Sequence, residues 1–316
     1  MIVTLTPRPS LDRILTMQSA ARGNLTRSAY SILEPGGEGI HVTRALLAHG
    51  ARTTAVLPIG GAIGQAMALL LTDTGVPFAP VATARSLPLS TTIVEADGAT
   101  TTFHEAGPTL NSEETSALLA RTDDQLHDAS WLALCGPLAT GLPQDFYATA
   151  IRRAHTYGTQ VAVSAHGEAM GHALAAGPDL VYLSGADLAE VLHLEVSTRE
   201  DAHRAGEGLV RGGIPTVVIT LDTGDAMLLT DRGSWHAHVV AGEPTHCPGA
   251  TSAALLAGVL HALEQGAPTD QAMAQGAAWA NATRQQAETQ PHRSARQVRV
   301  HVTTSPGSGG TPSRAA

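Results

Sequence analysis

Short runs of β-branched and aliphatic residues alternate along this chain with Ala-rich segments of helical period. That alternation restricts the fold more than any other feature. Ile2–Leu5, Thr53–Ile59, Trp131–Leu134, Gln160–Val163, Leu180–Leu183 and Thr216–Leu221 read as buried strands. Gly39–His49, Ile63–Thr74, Gln144–Thr156, Ala186–Leu192 and Thr198–Arg211 read as the helices between them. Strands without a polar face, separated by helices, imply a mostly parallel α/β sheet covered on both sides.

With 316 residues the chain can bury a sizeable core as one domain with an appendage. Aromatic residues make up only 3%, so Ala, Val and Leu must fill that core. All 19 basic residues are arginine, which leaves no lysine to contact a phosphate or form a Schiff base. The formal charge of −9 argues against a nucleic-acid partner. The two cysteines, Cys135 and Cys247, are too few for a disulfide framework and suit a reducing compartment. Met1-Ile2-Val3-Thr4-Leu5 lacks the basic start of a signal peptide, and no apolar run is long enough to span a membrane. The expected location is the cytoplasm.

Two stretches break the strand–helix rhythm. Residues 24–33 and 88–104 are strand-like with polar, Thr-rich arms around the turn Ala96-Asp97-Gly98, which suggests a small second sheet serving as a lid or a dimer clasp. These lie within a main domain expected over 1–290. Residues 291–316 are rich in Arg, Ser, Gly and Pro and read as a largely disordered tail, Thr303–Ala316 most clearly so.

Two glycine-containing segments carry the chemistry. In His246-Cys247-Pro248-Gly249-Ala250-Thr251-Ser252, small residues open a helix that continues through Ala253–Leu260. A helix N-terminus presents unpaired N–H groups and partial positive charge, which suits phosphate. No Asp or Glu lies between Glu243 and Glu264, so no carboxylate stands beside those N–H groups to take a proton. The second segment, Pro35-Gly36-Gly37-Glu38-Gly39-Ile40-His41, is a glycine-rich turn feeding a helix, where backbone can approach a ligand closely.

Taken with Leu11-Asp12 after the first strand and Gly60-Gly61 after the second, these motifs resemble the PfkB (ribokinase-like) carbohydrate kinases, in the branch of 1-phosphofructokinase and tagatose-6-phosphate kinase. The resemblance covers about residues 1–290. It implies a ribokinase-like three-layer α/β sandwich with a β-lid that often dimerises. It also implies ATP- and Mg²⁺-dependent phosphorylation of a hexose phosphate. Asp12, Arg27, Arg44, Glu105 and Gly141 match the family pattern. The resemblance places Asp12, Arg27, Gly37, Glu38, His41 and Glu105 on the substrate side. It places Thr220, Asp222, Asp225, Gly249, Ala250, Ser252 and Asn281 on the nucleotide and phosphate side. Trp279, near Asn281, reads as ordinary helix packing.

The departures from the pattern are concentrated at the motifs. The family's Gly-Ala-Gly-Asp, whose Asp is the catalytic base, falls at this helix start, with Thr251 at the base position and Pro248 and Ala250 where glycines are usual. A threonine hydroxyl cannot take up a proton at neutral pH, a loss of roughly 10²–10⁴ in rate. Gly-Gly-Lys-Gly-Ile-Asn becomes Gly36-Gly37-Glu38-Gly39-Ile40-His41, replacing a cation by an anion. Arg8 stands for an Asn, and the arginine of the lid hairpin falls at or near Pro88. Lys-Pro-Asn becomes Tyr182-Leu183-Ser184, and the Ser-Leu-Gly-x-x-Gly loop becomes Thr220-Leu221-Asp222-Thr223-Gly224-Asp225. Two readings follow: a catalytically silent fold that binds a ligand or partner, or an active kinase with a relocated base such as Glu38, Asp222 or Asp225. No metal site is assigned. A Zn²⁺ set drawn from Glu38, His41, His104, His166, His246 and Cys247 is an alternative of lower weight, and so is Cys247 as a nucleophile.

Overall fold

The computed structural model describes residues 1–21, 23–239, 248–284 and 303–305. A ten-stranded sheet forms the centre, in the order β14-β13-β12-β11-β10-β9-β8-β1-β4-β5. Its parallel part comprises β1 (Ile2–Leu5), β4 (Thr53–Ile59), β5 (Phe78–Ala82), β8 (Trp131–Cys135), β9 (Gln160–Ser164), β10 (Leu180–Ser184) and β11 (Thr216–Thr220). An antiparallel edge follows: β12 (Asp225–Thr230), β13 (Gly233–His238) and β14 (Thr303–Ser305). Here the structure corrects the reading of the tail. Thr303–Ser305 pairs with Ser234–His236 as an edge strand, because β13 offers an open backbone edge that three polar residues can satisfy.

The alternation of side chains along each strand builds two apolar layers. On β1 and β8, Val3, Leu5, Leu132 and Leu134 face one core, with α3 (Ser112–Leu126), α4 (Phe146–Thr156), α5 (Gly167–Ala175), α6 (Gly185–Leu192) and α7 (Arg199–Arg211). Ile2, Trp131, Ala133 and Cys135 face the other, with α1 (Glu38–Ala48), α8 (Pro248–Glu264) and α9 (Thr269–Arg284). A smaller core gathers Ile40, Ala55 and Leu57 around Met67 and Leu71 of α2 (Gly61–Asp73). This is the three-layer arrangement that the family resemblance implies. Trp279 stacks on His49 at 3.6 Å and belongs to the second core. Among the described residues no helix is long and apolar enough to cross a membrane.

A second sheet of four strands stands beside the first, in the order β3-β2-β6-β7. Its strands are β2 (Ser10–Met17), β3 (Tyr30–Gly36), β6 (Leu89–Glu95) and β7 (Thr100–His104). The expected strand over 24–33 begins only at Tyr30. The central strand, β2, was not foreseen. Its mixed sequence Ser-Leu-Asp-Arg-Ile-Leu-Thr-Met buries only Leu11, Ile14 and Met17, a spacing that hides the period of two. The cross-strand register puts Glu34, Asp12, Ser90 and His104 in one row and Leu33, Arg13, Thr91 and Phe103 in the next. Successive rows face opposite sides of a sheet, so the first row faces the main domain and the second faces away.

Candidate active site

The C-terminal ends of β1, β8, β9, β10 and β11 meet the second sheet across a cleft of about 900 Å³. Ligands of open α/β sheets bind at these ends. A second cavity of about 430 Å³ adjoins it. The two share Tyr182, Ser184, Thr220 and Ser252 as lining.

The glycine-rich turn seats α1 on the floor of the cleft. Gly37, the residue before α1, has φ 121°, a conformation that favours glycine. A Cβ on Gly36 would strike the Asp12 carboxylate, and one on Gly39 would strike Thr6. The motif therefore allows α1 to start against β1 and β2, and its first residue, Glu38, enters the cleft. There Glu38 accepts a hydrogen bond from the Ser164 hydroxyl and lies near the Gly136 N–H. Burial pushes its carboxyl up to about 6 against these donors and against the field of His166. Asp12 behaves similarly. Burial raises it to about 6, although the Ser10 hydroxyl donates to it at 2.6 Å. His41 lines the same wall. Burial, reinforced by Arg44, lowers it to about 3, so it is neutral. Glu105 reaches the rim and accepts from the Leu89 N–H at 2.9 Å, tying down the start of β6.

On the opposite wall Ser184 caps α6 by a reciprocal pair of hydrogen bonds with Asp187. Asp187 also meets His166, with Oδ1 at 2.6 Å from Nδ1. The bond to Asp187 raises the imidazole pKa despite partial burial. Burial acts to raise Asp187, but the bonds from His166 and Ser184 outweigh it and hold the carboxylate ionised. Neither Asp187 nor Ser164 was selected from the sequence. The Ser184-x-x-Asp187 pattern ahead of an apolar helix was a usable signal for the first. Nothing local to Ser164 announces its partner, which is 126 positions away.

The seam between the cavities lies at the start of α8. Ser252 opens to both sides, Gly249 to the larger cleft and Thr251 to the smaller, whereas Ala250 is buried. The first turn of α8 holds no acidic residue. The helix begins at Pro248, three residues before Thr251. Thr220, Asp222 and Asp225 line the smaller cavity with Arg284. Asp225 is held ionised by His238 and Thr223 in spite of its burial. Two carboxylates thus line the smaller cavity beside one guanidinium, Arg284.

Two expected site residues fall elsewhere. Arg27 lies in the exposed connection between β2 and β3 and lines neither cavity. The connection leads away from the cleft before β3 returns to it. Asn281 is 1% exposed inside α9 and also lines neither cavity. The α8–α9 packing turns it inward, where its amide makes no hydrogen bond. His246 and Cys247 lie outside the described residues. Among the described residues no group of three or more His, Cys, Asp or Glu side chains is arranged to hold a metal ion.

A double cleft between the strand ends of an α/β sheet and a small β-sheet defines a small-molecule-binding α/β protein. The chain matches the model of the pfkB family carbohydrate kinases over residues 11–296, and it belongs to that family. It is 26% identical over 283 residues to the 1-phosphofructokinase of Bacillus subtilis, covering 90% of this chain and 92% of that one. It is 33% identical over 227 residues to the ATP-dependent 6-phosphofructokinase isozyme 2 of Escherichia coli, covering 70% and 72%. The crystal structure of Escherichia coli phosphofructokinase-2 in complex with potassium superposes with a TM-score of 0.82 at 27% identity, covering 92% of this chain and 94% of that one. The fold is therefore ribokinase-like.

Proposed function

We propose that this protein is a 1-phosphofructokinase-like member of its family that binds a ligand in the cleft but transfers phosphate poorly or not at all. The observation that carries this reading is the seam. Where the two cavities meet, the start of α8 offers Thr251 and Ser252 and no carboxylate. A hydroxyl attacking a phosphoryl group needs a proton acceptor there. The carboxylates Asp222 and Asp225 in the smaller cavity, with Arg284 as its guanidinium, compound the loss by opposing an anionic tail. ATP would be held mainly by the N–H groups at the start of α8. Mg²⁺ would enter with the nucleotide, held mainly by its phosphates. The protein then acts as a ligand-responsive regulator of another protein.

A specific observation favours a second reading, an active kinase. The Asp187–His166 pair lines the same cleft as Ser252, and it makes His166 a better proton acceptor than an isolated imidazole. ADP release from Mg²⁺-ATP with fructose 1-phosphate, fructose 6-phosphate or tagatose 6-phosphate separates the two. The first reading expects no turnover by the natural protein with any of the three. Turnover by the natural protein that His166→Asn abolishes would establish the second.

We further take residues 1–290 as one kinase-fold unit that dimerises through the outer face of the β2–β3–β6–β7 sheet. Leu33 and Phe103 are 46% and 58% exposed in one cross-strand row with Arg13, whose buried Nε has no hydrogen-bond partner. The free and buried Cys135 accords with a reducing, cytoplasmic location.

A further inference from the structure

We infer that the occupant of the larger cleft is a polyhydroxylated ligand bearing an ammonium group and no phosphate, an amino sugar or amino polyol. The inference rests on the reading of the cleft as a binding site and concerns which chemistry it selects.

The charge of the lining is the first observation. Asp12, Glu34, Glu38, Glu105 and Asp187 line the space; Glu34 is paired with Arg44 and Asp187 with His166, which leaves Asp12, Glu38 and Glu105 against His104 and Arg8, the one guanidinium among the described lining residues. Arg44, beneath the sheet, is within 3.7 Å of Glu34 and supplies no surplus charge. His41 is held neutral, and His166 is occupied by Asp187. A phosphate dianion brought here meets carboxylates at short range in a partly desolvated space, where repulsion is strong. An ammonium group meets the opposite field. Glu38, which lines the cleft beside Ser164, is the acceptor we assign to it.

The second observation is independent of charge. The Tyr182 hydroxyl is at the seam in a residue only 5% exposed, and it lies beside Ser252 and Thr220 without forming a hydrogen bond of normal geometry. Burial pushes its pKa up to about 12, so it stays a donor. A buried donor left unpaired costs about 1–3 kcal/mol, and a ligand hydroxyl relieves that cost. Ser164, Ser184, Thr220 and Ser252 border the same space and complete a lining of hydroxyls suited to a polyol.

The test is calorimetric binding of three matched probes to the full chain: 1-amino-1-deoxyfructose, fructose and fructose 1-phosphate. The expected order is amine tightest, by about tenfold over fructose, with the phosphate weakest. Glu38→Gln should abolish the advantage of the amine over fructose. Tyr182→Phe should weaken both and leave their ratio unchanged. If the phosphate binds best, if amine and fructose bind equally, or if none binds at 10 mM (~10,000-fold above a micromolar site), the inference is overturned. The ranking is read on the natural protein, so it does not depend on either variant folding. It is also distinct from ADP release: turnover would overturn the silent-kinase reading whatever the ranking, and a phosphate-preferring cleft would overturn this one without any turnover.

Discussion

The Glu38 side chain enters the cleft with its charge already disfavoured, and Asp12 shares that condition. In both, burial raises the folded-state pKa to about 6, from ordinary values of 4.5 and 3.8. A carboxyl whose folded pKa is raised destabilises the fold wherever it is ionised in both states. The penalty is complete above about pH 6 and is relieved as pH falls through 6 toward the unfolded value. For Glu38 the shift amounts to about 2 kcal/mol at most. Glu38→Gln should therefore raise urea stability by on the order of 1–2 kcal/mol at pH 8 and change it little at pH 4.5. A variant with the same gain at both pH values would show that burial is not the cause. Asp187 is the reverse case, an acid held ionised by its partners. Asp187→Asn should cost about 0.5–1 kcal/mol through the weakened cap of α6. It should also let the His166 pKa fall, as read by NMR titration of the imidazole.

Packing between elements rests on small residues in the C-terminal helices. A Cβ added to Gly258 of α8 would come within 2.7 Å of Gly276 Cα, and one added to Gly276 would come within 2.7 Å of Val259. The two helices touch through bare backbone, and their start and end frame the smaller cavity with Thr251 and Arg284. Gly258→Ala should cost roughly 1–3 kcal/mol by overpacking, measured as a lower urea midpoint with an unchanged slope. The exposed Gly208→Ala, with nothing near its Cβ, should not destabilise. Most strands and helices of the parallel core were legible because both faces of those strands are buried and each reads as an unbroken apolar run. The antiparallel edge β12–β13, the central lid strand β2 and helix α9 were not. Their sequences mix polar and apolar residues, and pairing or packing with distant elements decides their conformation.

At the scale of the whole molecule, the proposed dimer rests on the outer row of the small sheet. Phe103→Asp or Leu33→Asp should convert a dimer to a monomer by sedimentation while leaving the cleft-facing row, and hence ligand binding, intact. A natural protein that sediments as a monomer would remove the clasp from the account.

The sequence by itself determined the fold class, the family and the absence of a carboxylate from the start of α8. Those follow from local period, local motif and the identity of a single position, Thr251. Only the tertiary structure decided which side chains share the cleft. It leaves Arg27 and Asn281, which the family resemblance had assigned to the site, outside the lining of both cavities. It brought in Ser164, Asp187 and the unpaired Tyr182 hydroxyl. It also turned Glu38 from an isolated charge reversal into one member of an acidic, hydroxyl-lined chamber. The physical reason is range. A helix start or a buried strand is specified by neighbours a few residues away, whereas a site is the meeting of strand ends, helix starts and a second sheet. Hydrogen bonds between residues as far apart as Glu38 and Ser164 leave no trace in either neighbourhood.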